Sequence, residues 1–370
     1  MKHDVIVIGA GIIGLATAER LLLQGAKVTI LERNKIGQES SWAGGGILSP
    51  LFPWNYKNDV IQLTNYSTKL FPAWTSSLHK TTGIDSEYET CGMLMLPPFD
   101  RDTAINWCAK HGINVRQHIV SNVSCHIEET YIENTNKKTR NQTLFLPDVA
   151  QVRNPRLLQA LKKRIMQLGG EIIENCRVNQ IKASNWQTQS ITSSCGEFIA
   201  DHYIVCTGAW SSKILGTHAL KLNIRPIKGQ MLLFKFAKPP IRKILVRNDL
   251  YIIPRQDGHL LIGSTLEDVG FNKQVTVSAR NYLLEGAQNI MPELEGMTLI
   301  QHWSGLRPGS PDNIPTIGRH PNIRNLYINC GHFRYGVTMA PASAEIVVNE
   351  IINVPQPLDI SPYQTGWNSN

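Results

Sequence analysis

Residues 4–33 read Asp-Val-Ile-Val-Ile-Gly-Ala-Gly-Ile-Ile-Gly-Leu-Ala-Thr-Ala-Glu-Arg-Leu-Leu-Leu-Gln-Gly-Ala-Lys-Val-Thr-Ile-Leu-Glu-Arg, and this stretch decides the fold. Its apolar run 5–8 predicts a strand that is buried on both faces. Residues 15–24 are good helix formers that stop at Gly25, so they predict a helix, and the apolar run 28–31 predicts a second strand. A strand, a helix and a second strand in this order are typical of a nucleotide-binding unit in a parallel sheet.

Three glycines, Gly9, Gly11 and Gly14, lie where the first strand passes into the helix. At this spacing they allow a tight turn, a close approach of backbone to a pyrophosphate, and close packing of the helix on the strand. The helix N-terminus then attracts the phosphates. Glu32 ends the second strand, where a carboxylate can accept hydrogen bonds from a ribose. Because this acid disfavours a 2′-phosphate, we expect FAD or NAD rather than NADP.

The composition is that of a soluble globular protein. The chain has 370 residues, of which 42% are hydrophobic and 18% are charged. This length suggests about two or three domains. The seven cysteines lie at least eleven residues apart, which excludes a CxxC zinc or redox pair and predicts reduced thiols in a cytoplasmic protein. The apolar stretch 5–18 is too short to span a bilayer, so we expect no membrane span.

A glycine-rich loop follows the nucleotide-binding unit. Ser40 and Ser41 stand just before three consecutive glycines, 44–46. The serine hydroxyls could serve phosphate oxygens, and backbone without side chains could lie directly against a flat ring system. A loop with no ligand is the alternative interpretation of the same residues.

The rest of the chain alternates between two patterns. An amphipathic helix at 155–168, strands at 171–178, 201–206 and 326–330, and a helix from Met339 continue the nucleotide-binding domain. Short β-rich runs at 93–96, 224–236 and 250–262 predict a mainly antiparallel sheet. We therefore expect an α/β fold in which a Rossmann-like domain is interrupted by an α+β substrate domain. The expected bounds are 1–85, 147–220 and 303–370 for the first domain, and 86–146 and 221–302 for the second.

The chain resembles the FAD-dependent D-amino acid oxidase-like (DAO) family of oxidoreductases over nearly its whole length. The resemblance rests on the motifs at 7–14, 40–46, 251–255, 305–309 and 331–334. It is greatest to the members that oxidise glycine for thiamine thiazole synthesis. The resemblance implies that the Rossmann-like domain binds FAD without a covalent bond.

The resemblance also implies which residues lie around FAD. They are Gly9, Gly11, Ile12, Ile13, Gly14, Glu32, Arg33, Ser40, Ser41, Gly45, Gly46, Ile47, Val178, His332, Phe333, Arg334, Tyr335, Gly336, Val337 and Thr338. The last helix is expected to point its positive end at the flavin, where it would stabilise the anionic reduced ring.

Three residues are assigned to the substrate by the resemblance, and one of them, Arg334, also belongs to the set around FAD. Arg307 is expected to bind the substrate carboxylate, with Tyr251 and Arg334 beside it. A planar guanidinium suits this role because it binds a carboxylate through two parallel hydrogen bonds. The alternatives are a surface ion pair for Arg307, a structural role for Arg334 and an ordinary strand aromatic for Tyr251.

The expected reaction is the oxidative deamination of a small amino acid, namely glycine, sarcosine or a small D-amino acid. Hydride transfer to the flavin gives an imine, which water hydrolyses to a 2-oxo acid and ammonia, and O2 takes up the electrons to give H2O2. Product transfer to a thiazole synthase and a homo-oligomer are both compatible with the resemblance. The alternatives are a D-amino acid or sarcosine dehydrogenase with another acceptor, a flavin-dependent enzyme that modifies a tRNA wobble uridine, and a flavin-binding module without activity.

The net charge of +8 is concentrated in one segment. Residues 221–255 hold nine basic residues and one acid. This segment predicts a solvated basic face on the inserted sheet, and a docking surface for an acidic partner or tRNA is the alternative. Nucleic acid remains the less favoured partner.

Overall fold

The computed structural model describes residues 4–119 and 142–368. Within them the helices are α1 (Ile12–Leu23), α2 (Ser40–Ala43), α3 (Asn58–Thr82), α4 (Arg101–His111), α5 (Asn154–Gln167), α6 (Ser211–Leu215), α7 (Val277–Gln288) and α8 (Gly336–Ile352). The strands are β1 (Asp4–Ile8), β2 (Lys27–Leu31), β3 (Glu89–Thr90), β4 (Met93–Leu96), β5 (Arg116–Ile119), β6 (Gln142–Leu146), β7 (Ala150–Gln151), β8 (Glu171–Ile173), β9 (Val178–Ser184), β10 (Gln187–Ser193), β11 (Gly196–Phe198), β12 (His202–Val205), β13 (Arg225–Lys235), β14 (Ile244–Arg247), β15 (Leu250–Pro254), β16 (His259–Gly263), β17 (Gln301–Gly309), β18 (Thr316–His320) and β19 (Ile323–Cys330). Residues 120–141 of the first inserted segment, which include Cys125, lie outside the described residues.

The smaller of the two main sheets has six strands in the order β18-β19-β12-β1-β2-β8. Strand β1 pairs in parallel with β2 on one side and with β12 on the other. The chain leaves β1 towards β2 through α1 and comes back on the opposite side at β12. Such a reversal opens a crevice at the carboxyl ends of the two central strands, where ligands bind. The predicted strand–helix–strand unit and the Rossmann-like sheet are therefore confirmed.

Helix α1 lies close against β1 because two positions carry no side chain. A Cβ on Gly14 would overlap the carbonyl oxygen of Gly9, and a Cβ on Gly9 would lie 2.7 Å from the carbonyl oxygen of Cys206. Gly9 also has a φ of +102°, which L-residues with a side chain rarely adopt. The backbones of α1, β1 and the chain after β12 thus meet directly at the crevice.

The larger sheet has eight strands in the order β17-β13-β16-β15-β14-β4-β6-β5. All of its pairings are antiparallel except the parallel pairing of β4 with β14. The buried Leu283 on α7 belongs to the apolar core of this sheet. The expectation of an α/β fold with a mainly antiparallel second sheet is confirmed.

Strand β17 joins the larger sheet, although residues 303–309 were assigned to the first domain. It pairs with β13 from Gln301 to Gly309, so this sheet extends beyond the expected boundary at 302. The segment contains two glycines and Pro308, which weaken any strand signal in the sequence. The pairing is possible because β17 is an edge strand, where a proline removes no required hydrogen bond.

Two further elements differ from the expectation. The single strand expected at 171–178 is divided, because Asn175 takes a left-handed φ of +56° between β8 and β9. Strands β9–β11 then form a separate three-stranded sheet that was not predicted. Helix α8 begins at Gly336 rather than Met339, so the last residues of the expected flavin loop form its first turn.

The basic residues of 221–255 do not form one solvated face. Lys228 and Arg255 are buried, with 2% and 4% of their surface exposed. Arg225 and Lys235 form ion pairs with aspartates. The expectation of a solvated basic face is wrong for the two buried side chains.

None of the described helices is long and apolar enough to cross a membrane.

We expect Leu15→Ala to lower the free energy of unfolding by about 2–5 kcal/mol, because it leaves a cavity where α1 packs in the core. Leu15 has 0% of its surface exposed. The control is Leu23→Ala on the same helix, whose side chain is 53% exposed and should change stability by about 0.5 kcal/mol or less. Urea unfolding at a fixed FAD concentration measures both, and equal effects would contradict this packing.

Candidate functional site

A cavity of about 510 Å³ connects the two main sheets. One end lies at the crevice of the smaller sheet, beside Gly9 and Glu32, and the other end reaches Tyr251 and Arg307 in the larger sheet. Its volume lies within the range of about 300–1,000 Å³ that is typical of cofactor and ligand sites. All residues expected around FAD or substrate line this cavity except Gly14. Gly14 lies behind the lining, where it lets α1 approach β1.

Glu32 fixes the geometry of the crevice end. Its carboxylate accepts hydrogen bonds from the backbone N–H of Ala10 at 2.8 Å and of Asn34 at 3.0 Å. The acid therefore ties the glycine turn after β1 to the end of β2. A carboxylate has more acceptor sites than these two bonds use, so it can still accept from a ribose hydroxyl.

The N-terminus of α1 also faces this end of the cavity. The backbone N–H of Ile12 donates to Oγ of Ser41 at 2.9 Å. Since that oxygen acts as acceptor here, the Ser41 hydroxyl hydrogen remains available as a donor. A helix N-terminus with a hydroxyl donor beside it favours a phosphate group.

Arg33 is held by contacts that were not predicted. Its guanidinium lies 3.6 Å from the ring centroid of Trp210 and donates to Glu39 at 2.6 Å. The same carboxylate accepts from Lys273 of the larger-sheet region at 2.9 Å. Glu39 thus links the crevice end to a loop that follows β16.

The glycine loop 44–46 is held by two side chains that were not predicted as site residues. Asn154 donates to the carbonyl oxygens of Ser41 and Gly44, each at 2.9 Å. Arg255 donates to the carbonyl oxygen of Gly45 at 2.7 Å and is otherwise bonded to neutral groups. Burial lowers the pKa of Arg255 to about 10, so this guanidinium remains charged at neutral pH.

The C-terminal part of the lining is the turn before α8 and the first turn of that helix. His332 is buried with its Nε2 at 2.9 Å from Oγ of Ser343, and burial lowers its pKa to about 3. Its imidazole is therefore neutral at physiological pH. Thr338 in the first turn donates to the carbonyl oxygen of Ile47, which fixes the start of α8 against the glycine loop.

Arg307 is the central group at the opposite end. Its Nη1 donates to the main-chain oxygen of Thr265 at 3.1 Å, and its Nη2 donates to Oγ of Ser264 at 2.6 Å. No carboxylate of the described residues lies within 4.0 Å of this guanidinium. Burial lowers the pKa of Arg307, but an arginine stays charged in proteins. The cavity therefore ends at a cation whose counter-ion the described chain does not supply.

Tyr251 and Arg334 also line this end. The Tyr251 hydroxyl lies 3.8 Å from the sulfur of Met231, which is a weak acceptor, so it can donate to a stronger one. Arg334 donates to Asp249 at 3.3 Å, and this aspartate side chain is 68% exposed. Exposed pairs of this kind contribute about 1 kcal/mol or less.

The lining fits an FAD molecule from end to end. The crevice supplies a carboxylate and a helix N-terminus for the nucleotide half. In the middle, a Cβ on Gly45 would overlap the side chain of Ile253, so the cavity wall there consists of bare backbone. A flat ring system can lie against such a wall, with the guanidinium of Arg307 beyond it.

The supporting residues Asn154, Arg255, Ser264 and Thr265 could not be identified from local patterns. Each acts on a residue distant in the chain, such as Asn154 on Ser41 or Thr265 on Arg307. The one usable signal was the concentration of cations in 221–255, which includes Arg255.

Comparisons with known proteins agree with this geometry. The model of the DAO family, described as FAD dependent oxidoreductase, matches residues 4–350. The chain is 38% identical to the glycine oxidase of Pseudomonas aeruginosa and 36% identical to that of Pseudomonas putida, with 98% of both chains covered in each case. It is 30% identical to the bifunctional protein ThiO/ThiG of Trichormus variabilis, over 95% of this chain and 53% of that protein.

A solved structure shows the same fold. The crystal structure of glycine oxidase from Geobacillus kaustophilus matches with a TM-score of 0.89, over 98% of both chains and at 24% sequence identity.

We expect Gly46→Ala to weaken FAD binding by about tenfold or more. The new Cβ would overlap the carbonyl oxygen of Val152 and lie 2.6 Å from Oδ1 of Asn154, so the glycine loop must move. The control is Gly83→Ala, because Gly83 has a similar φ of +72° against +77° for Gly46 but nothing within 4 Å of its Cβ. Fluorescence titration with FAD measures both variants, and the same loss in both would assign the effect to backbone strain alone.

Proposed function

The chain belongs to the DAO family of FAD-dependent oxidoreductases, and on this basis we propose that it catalyses the oxidative deamination of glycine. Sarcosine and small D-amino acids are proposed as further substrates. Glycine, O2 and water would give glyoxylate, ammonia and H2O2. The glycine oxidases among the relatives favour this reaction over a dehydrogenase and over tRNA modification.

One observation carries the proposal. Arg307 is a partly buried cation with neutral partners at the end of a cavity, and the acids on the described lining, Glu32 and Glu39, belong to the opposite end. A small molecule with a carboxylate would supply the missing negative charge, and a guanidinium can bind it through two hydrogen bonds. An amino acid satisfies this requirement and places its Cα between Arg307 and the glycine loop.

The side chains at this end bind and orient the substrate. Arg307 would hold the carboxylate, and the hydroxyl of Tyr251 would donate to one of its oxygens. FAD, when bound, supplies the acceptor for the two electrons that leave with the Cα hydrogen. Burial lowers the pKa of His332 to about 3 and its Nε2 is engaged with Ser343, so it is too weak a base to be a good candidate for a general base. The contribution of the protein would be orientation and electrostatics.

The first turn of α8 would add to the electrostatics. Gly336, Val337 and Thr338 line the cavity at the N-terminus of this 17-residue helix. The positive end of a helix dipole stabilises negative charge by about 0.3–1 kcal/mol, and more in partly buried geometries. We propose that this end faces the flavin ring, which becomes negatively charged when it is reduced.

The same relatives suggest a cellular context. One of them is the bifunctional protein ThiO/ThiG, of which the chain spans about half. We propose that the chain serves thiamine thiazole synthesis in the cytoplasm and passes its imine or glyoxylate product to a thiazole synthase. We further propose that the smaller sheet and its helices bind FAD, without a covalent bond, and that the larger sheet carries the substrate residues. A homo-oligomer is compatible with this arrangement.

Anaerobic addition of glycine, sarcosine and D-alanine tests the activity and ranks the substrates. We expect glycine to bleach the flavin absorbance, and air to restore it with about one H2O2 for each substrate oxidised. Bleaching that air does not reverse would indicate a dehydrogenase with another acceptor. If no amino acid reduces the flavin, the protein would be a flavin-binding module without amino-acid oxidase activity. Salt-sensitive tRNA binding would then support the alternative of an RNA-modifying enzyme.

We expect Arg307→Ala to lower kcat/KM for glycine by about two orders of magnitude or more, because the substrate carboxylate would lose its charged partner. FAD should stay bound, since Arg307 lies at the far end of the cavity. Arg324→Ala, which changes an exposed arginine, is the matched control. Steady-state kinetics and the ratio of flavin to protein absorbance measure both outcomes. Near-normal turnover in the Arg307 variant would show that Arg307 does not bind the substrate carboxylate.

A further inference from the structure

Both acceptors that hold Arg307 lie in one loop. Residues 264–276, named here the anchor loop, connect β16 to α7. Ser264 and Thr265 begin this loop, and they accept hydrogen bonds from the Arg307 guanidinium at 2.6 Å and 3.1 Å. The anchor loop forms no named strand or helix that would fix its shape by a regular ladder of hydrogen bonds. The position of the guanidinium therefore depends on whatever holds the anchor loop.

Glu267 holds the anchor loop from within. Its carboxylate accepts from Oγ1 of Thr265 at 2.5 Å, from Nε2 of Gln230 at 2.8 Å and from Nζ of Lys228 at 2.9 Å. Burial would raise the pKa of this carboxyl, but the hydrogen bonds and the nearby charge of Lys228 outweigh burial and lower it. Glu267 is thus an ionised group that binds Thr265 directly.

Lys228 and Gln230 fasten the anchor loop to strand β13 at both of its ends. Lys228 is 2% exposed and donates to the carbonyl oxygen of Gln274 at 3.0 Å as well as to Glu267. The side chain of Gln230 accepts from the backbone N–H of Thr276 at 2.9 Å. The start and the end of the anchor loop are therefore tied to the same short segment of β13.

Gly229, which lies between Lys228 and Gln230 on β13, packs directly against Arg307. A Cβ on Gly229 would overlap three atoms of the Arg307 guanidinium, so this cation lies directly on the backbone of β13. The neighbouring Lys228 exchanges two backbone hydrogen bonds with Glu267, both at 2.9 Å. Arg307 is thus enclosed between β13 and the anchor loop, and Glu267 joins the two.

We propose that Glu267 is a positioning residue for substrate binding. Its carboxylate, paired with the buried Lys228, holds Thr265 so that the main-chain oxygen of Thr265 orients the Arg307 guanidinium towards the substrate carboxylate. This inference rests on the proposed role of Arg307. The pair also explains why a lysine is buried at this position, since an unpaired ammonium would be costly there.

The test measures the binding of acetate, which has the carboxylate of the substrate but no amine. We expect Glu267→Gln to raise the Kd for acetate and the KM for glycine by about tenfold or more, as for the loss of one coupled charge pair. Isothermal titration calorimetry on the FAD-loaded enzyme measures acetate binding independently of turnover. The affinity for FAD should change by about twofold or less, because Glu267 does not line the cavity.

The matched control is Glu197→Gln in the three-stranded sheet. Glu197 accepts from Lys182 at 2.9 Å and from Ser190 at 2.6 Å, which repeats the lysine and hydroxyl partners of Glu267 at an exposed position. This variant should bind acetate as the unchanged enzyme does. A purely structural role for Glu267 would lower the melting temperature without changing acetate affinity in the folded fraction.

A second pair of variants changes Thr265 instead, so that the Glu267 carboxylate stays in place as the partner of Lys228. Thr265→Val keeps the side-chain shape but removes the hydroxyl, which donates to Glu267 and accepts from the backbone N–H of Gln230 at 2.9 Å, whereas Thr265→Ser keeps the hydroxyl. We expect the valine variant to weaken acetate binding several-fold and the serine variant to restore it. If Glu267→Gln does not fold, unchanged acetate binding in the valine variant would overturn the proposal.

The outcomes separate this inference from the proposed function. Unchanged acetate binding in Glu267→Gln and Thr265→Val, together with its loss in Arg307→Ala, would overturn the role of Glu267 and leave that of Arg307. Unchanged acetate binding in Arg307→Ala would overturn both.

Discussion

The hydrogen bond between the guanidinium of Arg307 and the main-chain oxygen of Thr265 is the interaction on which the larger-sheet end of the cavity depends. A partly buried cation with neutral partners keeps its capacity to attract an anion, because no carboxylate within the described part of the chain pairs with it. The orientation of the Arg307 guanidinium must then come from its contacts with neutral groups. The bare backbone at Gly229 and the loop that Glu267 holds meet this requirement from opposite sides.

The distribution of charge along the cavity gives each end a separate task. The acids on the described lining, Glu32 and Glu39, belong to the crevice, where Arg33, Arg177 and Lys213 also line the cavity, whereas Arg307 and Arg334 at the other end have no acid beside them on that lining. A ribose donates hydrogen bonds to an acid, whereas a substrate carboxylate needs a cation. The charges are therefore compatible with a nucleotide at the crevice and with the carboxylate-binding role that is proposed for Arg307.

The first nucleotide-binding unit could be predicted because its signals are local. The apolar runs and glycine positions between Asp4 and Leu31 each act within a few residues, and the sheet register follows from them. Strand β17 could not be predicted in the same way, because its glycines and Pro308 are tolerated only through pairing with β13 at a sheet edge. The two buried cations of 221–255 were likewise decided by contacts outside that segment.

The sequence by itself determined the nucleotide-binding unit, the family resemblance and the candidacy of Arg307, since each rests on residue types at short spacing. Only the tertiary structure decided which groups hold those residues. Asn154 fixes the glycine loop from more than a hundred residues away, and Thr265 fixes Arg307 across 42 positions. Hydrogen bonds at such separations leave no periodic trace in the sequence, because they form only after the two sheets have packed around the cavity.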